Sequence, residues 1–364
     1  MTNVPSNIER IVVRGTNWVG DAVMTVPALR ELRRIFPDAH ISLATRSWAQ
    51  GIFEDATFVD ELLIVAAKGL GSVVQQVRSW RQRDFDLAVL FPNALESALV
   101  ASLSRVPTRI GYSSEGRQRL LTHPLAMPEW RSSKHEVFYY LNIVEHVERV
   151  TRGTSTIASR EPNASIEVSD ARRSRALEVL HASGVRPGKT VIALCPGSIN
   201  SRAKRWPADR YAQLGDRFAQ DADIDVVLIG SEAEVEVANE VRAQMRSQPI
   251  MLAGKTDLAQ LVAILSAVDL LVTNDTGPAH IAAALGRPTL VVFGPTNPLT
   301  TRPFAEAGQI IRQPPDCAPC MLRDCPIDHR CMTAISVNEM FERATAMLCE
   351  GGSIALNQRE ALTG

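Results

Sequence analysis

Short apolar runs alternate with segments of helical periodicity along most of this chain, and that alternation constrains the fold more than any other feature. Strand-length apolar runs are found at 11–13, 41–45, 62–65 and 87–91, and again at 191–194, 226–229, 251–252, 270–273 and 290–293. Helical periodicity is found at 22–36, 72–81 and 257–268, and over a long amphipathic segment that begins at His135. Strands that alternate with helices at this spacing predict an α/β chain with parallel, doubly wound sheets.

The pattern is interrupted once, by a polar, Ser- and Thr-rich stretch at 151–169 that has no period and is typical of a linker. A chain of 364 residues is also long for a single core. We therefore predict two Rossmann-like domains, 1–169 and 170–364, with a cleft between them. In parallel sheets of this kind a ligand lies beyond the carboxyl ends of the strands.

Composition excludes several classes of protein. The formal net charge of −1 argues against bulk electrostatic binding of nucleic acid. No apolar run approaches the length of a membrane span, and the first residues, MTNVPSNIER, contain no secretory apolar region. These features predict a cytoplasmic protein whose six cysteines are not paired in disulfides.

Four loops at predicted strand ends carry the candidate site residues. In chain order these are Gly20 and Asp21 in RGTNWVGDAVMTVPAL (14–29), Ser198 and Lys204 in LCPGSINSRAKRWP (194–207), Glu232 and Glu234 in IGSEAEVE (229–236), and Asp275, Thr276, Gly277 and His280 in TNDTGPAHIAAALG (273–286).

Two of these residues have both a structural and a chemical interpretation. Asp21 is predicted to cap a helix, or to accept a proton from a substrate hydroxyl. Lys204 is either solvated or a mobile positive charge for a diphosphate. A glutamate just past a strand commonly accepts hydrogen bonds from ribose hydroxyls, and spacing does not decide between Glu232 and Glu234.

The sequence pattern at 273–286 predicts the end of a buried strand followed directly by a helix. Pro278 suits the first helical turn, and Asp275 or Thr276 is the expected N-cap. The start of a helix presents backbone N–H groups and a positive dipole end, which favour a phosphate. The alternative is an ordinary capped turn.

Three signatures closely resemble the ADP-heptose-dependent lipopolysaccharide heptosyltransferases of glycosyltransferase family 9, most nearly their heptosyltransferase II branch. They are NWVGDAVMTVPAL, CPGSINSRAKRWP and TNDTGPAHIAAALGRPTLVVFGPTNP, and the resemblance extends from about Ile11 to Cys349. It implies a GT-B fold, with the acceptor on the N-terminal domain and ADP-heptose on the C-terminal domain.

The resemblance also implies roles for individual residues. Asp21 matches the general base and Lys204 the lysine of the donor phosphates, while Asp275, Thr276, Gly277 and His280 match the nucleotide-sugar loop. Glu234 fits the ribose position slightly better than Glu232. The chain departs from the family at Ser198-Ile199-Asn200, where relatives often have Ala-Glu or paired threonines.

The implied activity is an inverting transfer of heptose from ADP-heptose to the lipid A-linked core oligosaccharide of lipopolysaccharide. The arginine-rich first half suits a phosphorylated acceptor, and a lipid-linked acceptor is compatible with peripheral contact with the inner membrane surface. No cofactor and no nucleic acid are implied.

No metal ligand is assigned. Asp84-Phe85-Asp86 and Asp221-Ala222-Asp223 both precede strands, at the edge of the sheet away from the predicted site, and are interpreted as turn residues. The Cys-rich loop 317–331 contains Cys317, Cys320, Cys325 and Cys331 with His329 nearby; it has enough ligands for zinc, but the spacing is not a standard one.

Three other functions are alternatives to this one. A nicotinamide-dependent oxidoreductase would have a G-x-G-x-x-G loop after the first strand, and this chain has none there. A non-enzymatic sugar-nucleotide-binding protein would leave Asp21 and Lys204 without a role. A transferase that uses ADP-heptose on another sugar or on a protein is the strongest competitor, because the C-terminal signature identifies the donor better than anything identifies the acceptor.

Overall fold

The computed structural model describes residues 7–65 and 69–350, and these fall into two compact units that divide between Ile166 and Glu167. Each unit is built around a parallel sheet whose central strands are buried on both faces. Near-continuous apolar strands are what such a sheet requires.

In the first unit the described strands form a six-stranded sheet in the order β3-β2-β1-β4-β5-β6. The strands are β1 (Arg10–Arg14), β2 (His40–Thr45), β3 (Glu61–Ile64), β4 (Leu87–Leu90), β5 (Thr108–Tyr112) and β6 (His123–Leu125). Every neighbouring pair is parallel. In register, Val12 lies between Ser42 and Ala88.

The helices of the first unit are α1 (Val19–Met24), α2 (Val26–Ile35), α3 (Gln50–Phe53), α4 (Leu70–Arg83), α5 (Leu95–Leu103) and α6 (Glu136–Arg152). The periodicity predicts one helix over 22–36, but the structure has two that meet at Thr25. Pro27 explains the break, since proline has no N–H and its ring clashes with the carbonyl group four residues earlier, that of Val23.

The second unit contains a second six-stranded parallel sheet, in the order β12-β11-β10-β7-β8-β9. Its strands are β7 (Thr190–Cys195), β8 (Ile224–Leu228), β9 (Ile250–Met251), β10 (Leu270–Asn274), β11 (Thr289–Val292) and β12 (Gly308–Ile311). Its helices are α7 (Asp170–Ala182), α8 (Ala208–Phe218), α9 (Val235–Gln244), α10 (Leu258–Leu265), α11 (Gly277–Ala284), α12 (Pro298–Thr301), α13 (Arg330–Thr333) and α14 (Val337–Glu350).

The two sheets have the same strand order, which is that of the dinucleotide-binding Rossmann fold. In each, the first and fourth strands of the unit are neighbours, β1 beside β4 and β7 beside β10. Successive strands are added on one side of the sheet before these pairs and on the other side after them, and a crevice opens beyond the carboxyl ends of the paired strands. The prediction of doubly wound parallel sheets is thus confirmed. Among the described residues, no helix is both long enough and apolar enough to cross a membrane.

Candidate functional site

Asp21 lies in the loop-to-helix turn after β1, but it does not cap the helix. It is the third residue of α1, whose N-cap is Trp18, so the N-cap interpretation of Asp21 is wrong. Gly20 precedes it in the same first turn, half-buried. The helix starts earlier than its apolar periodicity suggests, and this places Asp21 within its first turn instead of at its N-cap.

The Asp21 carboxylate is held by a tyrosine from another helix. The Tyr140 hydroxyl group, on α6, donates a hydrogen bond to Asp21 Oδ1 at 2.8 Å. Burial raises the pKa of Tyr140 well above its usual value, and the nearby Asp21 carboxylate raises it further. Tyr140 therefore stays protonated and donates, which leaves Asp21 an acceptor of fixed orientation.

A second carboxylate lies one turn earlier on α6. Glu136 is buried, and its Oε1 accepts a hydrogen bond from Arg131. Burial raises the pKa of Glu136, Arg131 counteracts this, and the Asp21 charge adds a smaller increase. The neighbourhood of Asp21 is thus acidic, with Arg131 as its counter-charge.

In the second unit, the loops after β7 and β10 are joined by one buried amide. Asn274, the last residue of β10, donates from Nδ2 to the carbonyl oxygens of Pro196 and Gly197, at 2.8 and 3.1 Å. Its Oδ1 accepts from the Trp206 backbone N–H at 3.0 Å and from the Tyr211 hydroxyl at 3.2 Å. The side chain has all its hydrogen-bonding capacity in use, so it locks the two loops together at the switch point.

Ser198 lies in the loop after β7 and is buried. Its carbonyl oxygen accepts from Arg205 Nη2 at 3.0 Å and from Nε at 3.3 Å. Arg205 directly follows Lys204, so the β7 loop and the segment that carries Lys204 are held to each other.

Lys204 ends a short 3-10 turn, Arg202–Lys204, and reaches the loop after β10. Its Nζ lies 2.8 Å from Asp275 Oδ2 and 3.2 Å from the Asp275 carbonyl oxygen. The same Oδ2 accepts from the Thr296 hydroxyl at 2.7 Å. The Asp275 side chain is 4% exposed and that of Lys204 26%, so the carboxylate is buried while the ammonium retains contact with solvent.

The start of α11 offers fewer donors than its sequence suggests. Thr276 is the N-cap, and Gly277 is the first helical residue. Pro278 has no N–H, and the Ala279 N–H is donated to the Thr276 carbonyl oxygen at 3.1 Å. Among Gly277, Pro278 and Ala279, this leaves Gly277 as the residue with an N–H to offer a ligand. His280 lies in the same helix and is buried.

The two candidate ribose carboxylates occupy different environments. Glu232 is exposed, and its carboxylate lies beside Gly254. Glu234 is buried, and its Oε2 accepts from the Ser231 N–H at 2.9 Å and the Ser231 hydroxyl at 2.7 Å. Its Oε1 lies over Gly197, so close that a Cβ atom there would stand 2.3 Å away. Glu234 is thus the carboxylate that lies against the β7 loop.

The acidic pairs before the strands make structural contacts. Asp84 ends α4 in the left-handed region, and Asp86 Oδ2 accepts from the backbone N–H groups of Glu9 and Arg10, both at 2.9 Å. Asp221 Oδ1 accepts from the Asp223 N–H at 2.8 Å. These contacts belong to the amino ends of β1, β4 and β8.

The cysteines of the loop 317–331 are free thiols. Cys317 is exposed and Cys331 is buried. Burial raises the pKa of Cys331 to about 11, with the neighbouring cysteines adding to the shift, so it is a neutral thiol at pH 7. Within the described ranges, no group of three or more His, Cys, Asp or Glu side chains is arranged to hold a metal ion.

Three residues of these arrangements were missed by sequence reasoning: Tyr140, Asn274 and Thr296. Tyr140 is hidden in an amphipathic helix more than a hundred residues from Asp21, and no spacing connects the two. Asn274 and Thr296 lie within the strand-end loops, in TNDTGPAH and FGPTNP. A polar residue that follows a buried strand directly was the available signal.

Both sheets have the Rossmann strand order, and the switch point of the second sheet carries a lysine beside the start of a helix. Together these features indicate the class of protein to which the chain belongs. The fold matches the structure of Escherichia coli ADP-heptose lipopolysaccharide heptosyltransferase II with a TM-score of 0.80, at 27% identity, over 94% of this chain and 99% of that one. The chain is a glycosyltransferase of the GT-B class, as its sequence predicts.

The family follows from sequence comparison. The family model of glycosyltransferase family 9 (heptosyltransferase) matches residues 73–330. Lipopolysaccharide heptosyltransferase 2 of Salmonella typhimurium is 30% identical over 313 residues, 83% of this chain and 88% of that protein. The same enzyme of Escherichia coli is also 30% identical, over 311 residues and the same shares. The chain belongs to glycosyltransferase family 9, and the resemblance seen in its motifs is confirmed.

Proposed function

We propose that this enzyme transfers L-glycero-D-manno-heptose from ADP-heptose to the inner core of lipopolysaccharide, in the manner of heptosyltransferase II. One observation carries the proposal: Lys204 Nζ is held 2.8 Å from buried Asp275, beside the start of α11 and at the switch point of β7 and β10. The two relatives described above, each named lipopolysaccharide heptosyltransferase 2, support the choice of sugar and acceptor.

The donor diphosphate binds at this switch point. Lys204 supplies a full positive charge, and Gly277 supplies an N–H at the positive end of the α11 dipole. Because Pro278 has no N–H and that of Ala279 is already donated, the lysine carries most of the charge neutralisation. His280 lies one turn further along and completes the phosphate side of the site.

Glu234 is the ribose carboxylate in this scheme. Its Oε2 accepts a hydrogen bond from the Ser231 hydroxyl in the turn before α9, whereas Oε1 faces Gly197 of the β7 loop. A carboxylate with one oxygen anchored presents the other in a fixed direction, which suits recognition of a hydroxyl group. Ser198, the next residue, lies on the same loop.

Asp21 is the general base. The acceptor hydroxyl oxygen attacks the anomeric carbon, the bond from that carbon to the phosphate oxygen breaks, and ADP leaves with the bonding electrons. Asp21 accepts the hydroxyl proton through the carboxylate that Tyr140 orients. A single displacement of this kind inverts the anomeric carbon.

The acceptor is expected to be acidic. Arg14 ends β1, and Arg46 directly follows β2, so both lie at the carboxyl edge that carries the Asp21 loop. Burial and, as a smaller cause, repulsion from Arg46 lower the pKa of Arg14 to about 10, so it remains charged at neutral pH. Two cations that repel each other are stabilised by an anion such as a sugar phosphate or carboxylate.

We place the enzyme at the cytoplasmic face of the inner membrane. In the first unit, Leu70 is 87% exposed and Val74, one turn later on α4, is 48% exposed. Ile64, at the carboxyl end of β3, is also exposed. These apolar side chains suit contact with the lipid surface to which the acceptor is attached.

The test is product analysis with an Asp21→Asn variant. ADP-heptose and a panel of truncated lipopolysaccharide acceptors are incubated with each protein, and products are identified by mass spectrometry. Asparagine keeps the side-chain shape and the contact with Tyr140, so donor affinity should survive while turnover falls by about two to four orders of magnitude.

Asp38→Asn, an exposed carboxylate in the turn after α2, is the matched control and should retain normal turnover. Near-normal turnover of Asp21→Asn would show that Asp21 is not the general base. Absence of a heptosylated product from wild-type protein with every acceptor in the panel would contradict the proposed acceptor.

A further inference from the structure

The loop 317–331, which we call the cysteine-rich loop, lies across both segments that hold the Lys204 pair. The Ala203 N–H donates to the Arg323 carbonyl oxygen at 2.9 Å, and the Ser201 hydroxyl donates to that of Leu322 at 3.2 Å. The Met321 N–H donates to the Pro295 carbonyl oxygen at 2.9 Å. The loop thus contacts the residue before Lys204 and the residue before Thr296.

One side chain of the cysteine-rich loop reaches the peptide that precedes Lys204. His329 Nε2 lies 2.7 Å from the Ala203 carbonyl oxygen. A carbonyl oxygen only accepts, so Nε2 carries the proton and donates. The Ala203–Lys204 peptide group is therefore fixed through its carbonyl by His329, and the preceding N–H is fixed by Arg323.

His329 is itself held in an uncommon conformation. Its φ of +57° is in the left-handed region, and its backbone N–H lies 3.3 Å from Cys325 Sγ. Left-handed backbone at a non-glycine residue costs free energy and persists where the surroundings compensate for it. This cost falls on the residue whose imidazole ring contacts the Ala203 carbonyl oxygen.

We propose that His329 is a positioning residue for Lys204: its hydrogen bond to the Ala203 carbonyl sets the direction in which the lysine leaves the 3-10 turn. Correct direction brings Nζ to Asp275 and, when the donor binds, to the donor diphosphate. This inference rests on the proposed role of Lys204 in binding the donor. It assigns to the cysteine-rich loop a part in donor binding that requires no contact with the donor.

Two variants separate the hydrogen bond from the backbone conformation. His329→Asn tolerates the left-handed conformation but is too short to reach Ala203. His329→Gln carries an amide N–H at a reach similar to that of Nε2. Loss of one such bond should weaken ADP binding, measured by calorimetry, roughly three- to tenfold in the Asn variant, and the Gln variant should recover most of it.

The matched control is Arg330→Ala, which removes an exposed ion pair to Asp328 in the same loop. It should leave ADP affinity and the KM for ADP-heptose unchanged. His329→Gly, the other residue at ease at this φ, serves as a second variant without the donor group. The KM for the acceptor should be the same in all of them.

A double-mutant cycle distinguishes positioning from folding. With Lys204→Ala as background, His329→Asn should change ADP affinity by less than about 1.5-fold, because the group that it positions is gone. Equal losses in both backgrounds, or loss of thermal stability with unchanged donor affinity, would overturn the inference. Wild-type ADP affinity of Lys204→Ala alone would instead contradict the proposed function.

Discussion

At the scale of single residues, Asp275 is the side chain whose contacts most alter the interpretation of its role. A carboxylate beside a diphosphate site is electrostatically unfavourable, yet here it is buried and shares one oxygen between the Lys204 ammonium and the Thr296 hydroxyl. A buried charge needs such partners. We propose that it confines Lys204, at the cost of some repulsion toward the incoming donor.

Asp275→Asn should therefore separate affinity from turnover. The amide removes a negative charge near the diphosphate, so ADP should bind as tightly as to wild type or a few-fold more tightly. Lys204 is then less confined, and kcat should fall about tenfold to a hundredfold. Calorimetry with ADP and steady-state kinetics measure the two quantities.

Thr296→Val is the companion variant, since it removes a neutral hydrogen bond to the same oxygen and keeps both charges. Its kcat should fall by roughly threefold to tenfold. A loss of ADP affinity in Asp275→Asn with kcat unchanged would show that the carboxylate serves binding instead of orientation.

The sequence singles out these residues, but it does not predict their contacts. Lys204, Asp275 and Gly277 were recognised because their loops follow buried strands and match a family signature. Pairing of Lys204 with Asp275 joins positions 71 residues apart in the chain, and no local pattern encodes it. The wrong N-cap at Asp21 arose because capping preferences locate a helix start only to within a turn.

At the scale of elements, one feature of the switch point of β7 and β10 is a close contact between the backbone of the β7 loop and a side chain of the turn before α9. The β7 loop passes close to the turn before α9, and Gly197 is the residue at that contact. Its missing Cβ leaves room for the Glu234 carboxylate, which also completes the capping box with Ser231. The contact ties the β7 loop to the proposed ribose carboxylate.

Gly197→Ala should displace Glu234 because the added Cβ would lie 2.3 Å from Oε1 and 2.5 Å from Cδ. The side chain then leaves its capping box, and ADP affinity should fall roughly tenfold with a loss of stability of about 1–3 kcal/mol. Gly71→Ala, where no atom lies within 4 Å of the added Cβ, is the matched glycine control.

Calorimetry with ADP and thermal unfolding of both variants give the result. Unchanged ADP affinity in Gly197→Ala, in a protein of lowered stability, would limit Glu234 to a capping role.

Central strands were predicted from sequence because strands buried on both faces are continuous apolar runs. Edge strands β6 and β12 were missed: β6 has the sequence HPL, with a proline that is tolerated at an edge, and β12 has the sequence GQII. β5, TRIGY, was missed because a charged residue and a glycine interrupt its apolar run.

At the scale of the whole molecule, a soluble donor and a lipid-linked acceptor impose opposite requirements on one protein. Ile64 ends β3 at the carboxyl edge of the first sheet, the edge that also bears the Asp21 loop, and Leu70 and Val74 lie in the first turns of the next helix, α4. β3 and β1 are separated by one strand, so their ends lie ~10 Å apart. We propose that these exposed apolar side chains contact the lipid to which the acceptor sugar is attached.

The double variant Leu70→Glu with Val74→Glu should lose membrane association. Wild-type protein should float with vesicles of phosphatidylethanolamine and phosphatidylglycerol in a density gradient, and the variant should remain at the bottom. Two apolar side chains contribute about 1.5–3 kcal/mol each when buried, so partitioning should fall at least tenfold.

Leu177→Glu, a partly exposed leucine on α7 of the second unit, is the control and should float like wild type. Turnover of a short, detergent-dispersed acceptor should be equal in all three proteins. Flotation of the double variant at the wild-type level would show that α4 does not contact the membrane.

The division of the chain into two successive units has a consequence for inheritance. Lys204, Asp275, Thr296 and the loop that supports them are all encoded downstream of the division between Ile166 and Glu167, while Asp21 and Tyr140 are encoded upstream. Mutations that accumulate in the upstream part of the gene leave the proposed donor-binding residues unchanged. A lineage can thus change the molecule it modifies while retaining the sugar nucleotide on which it depends.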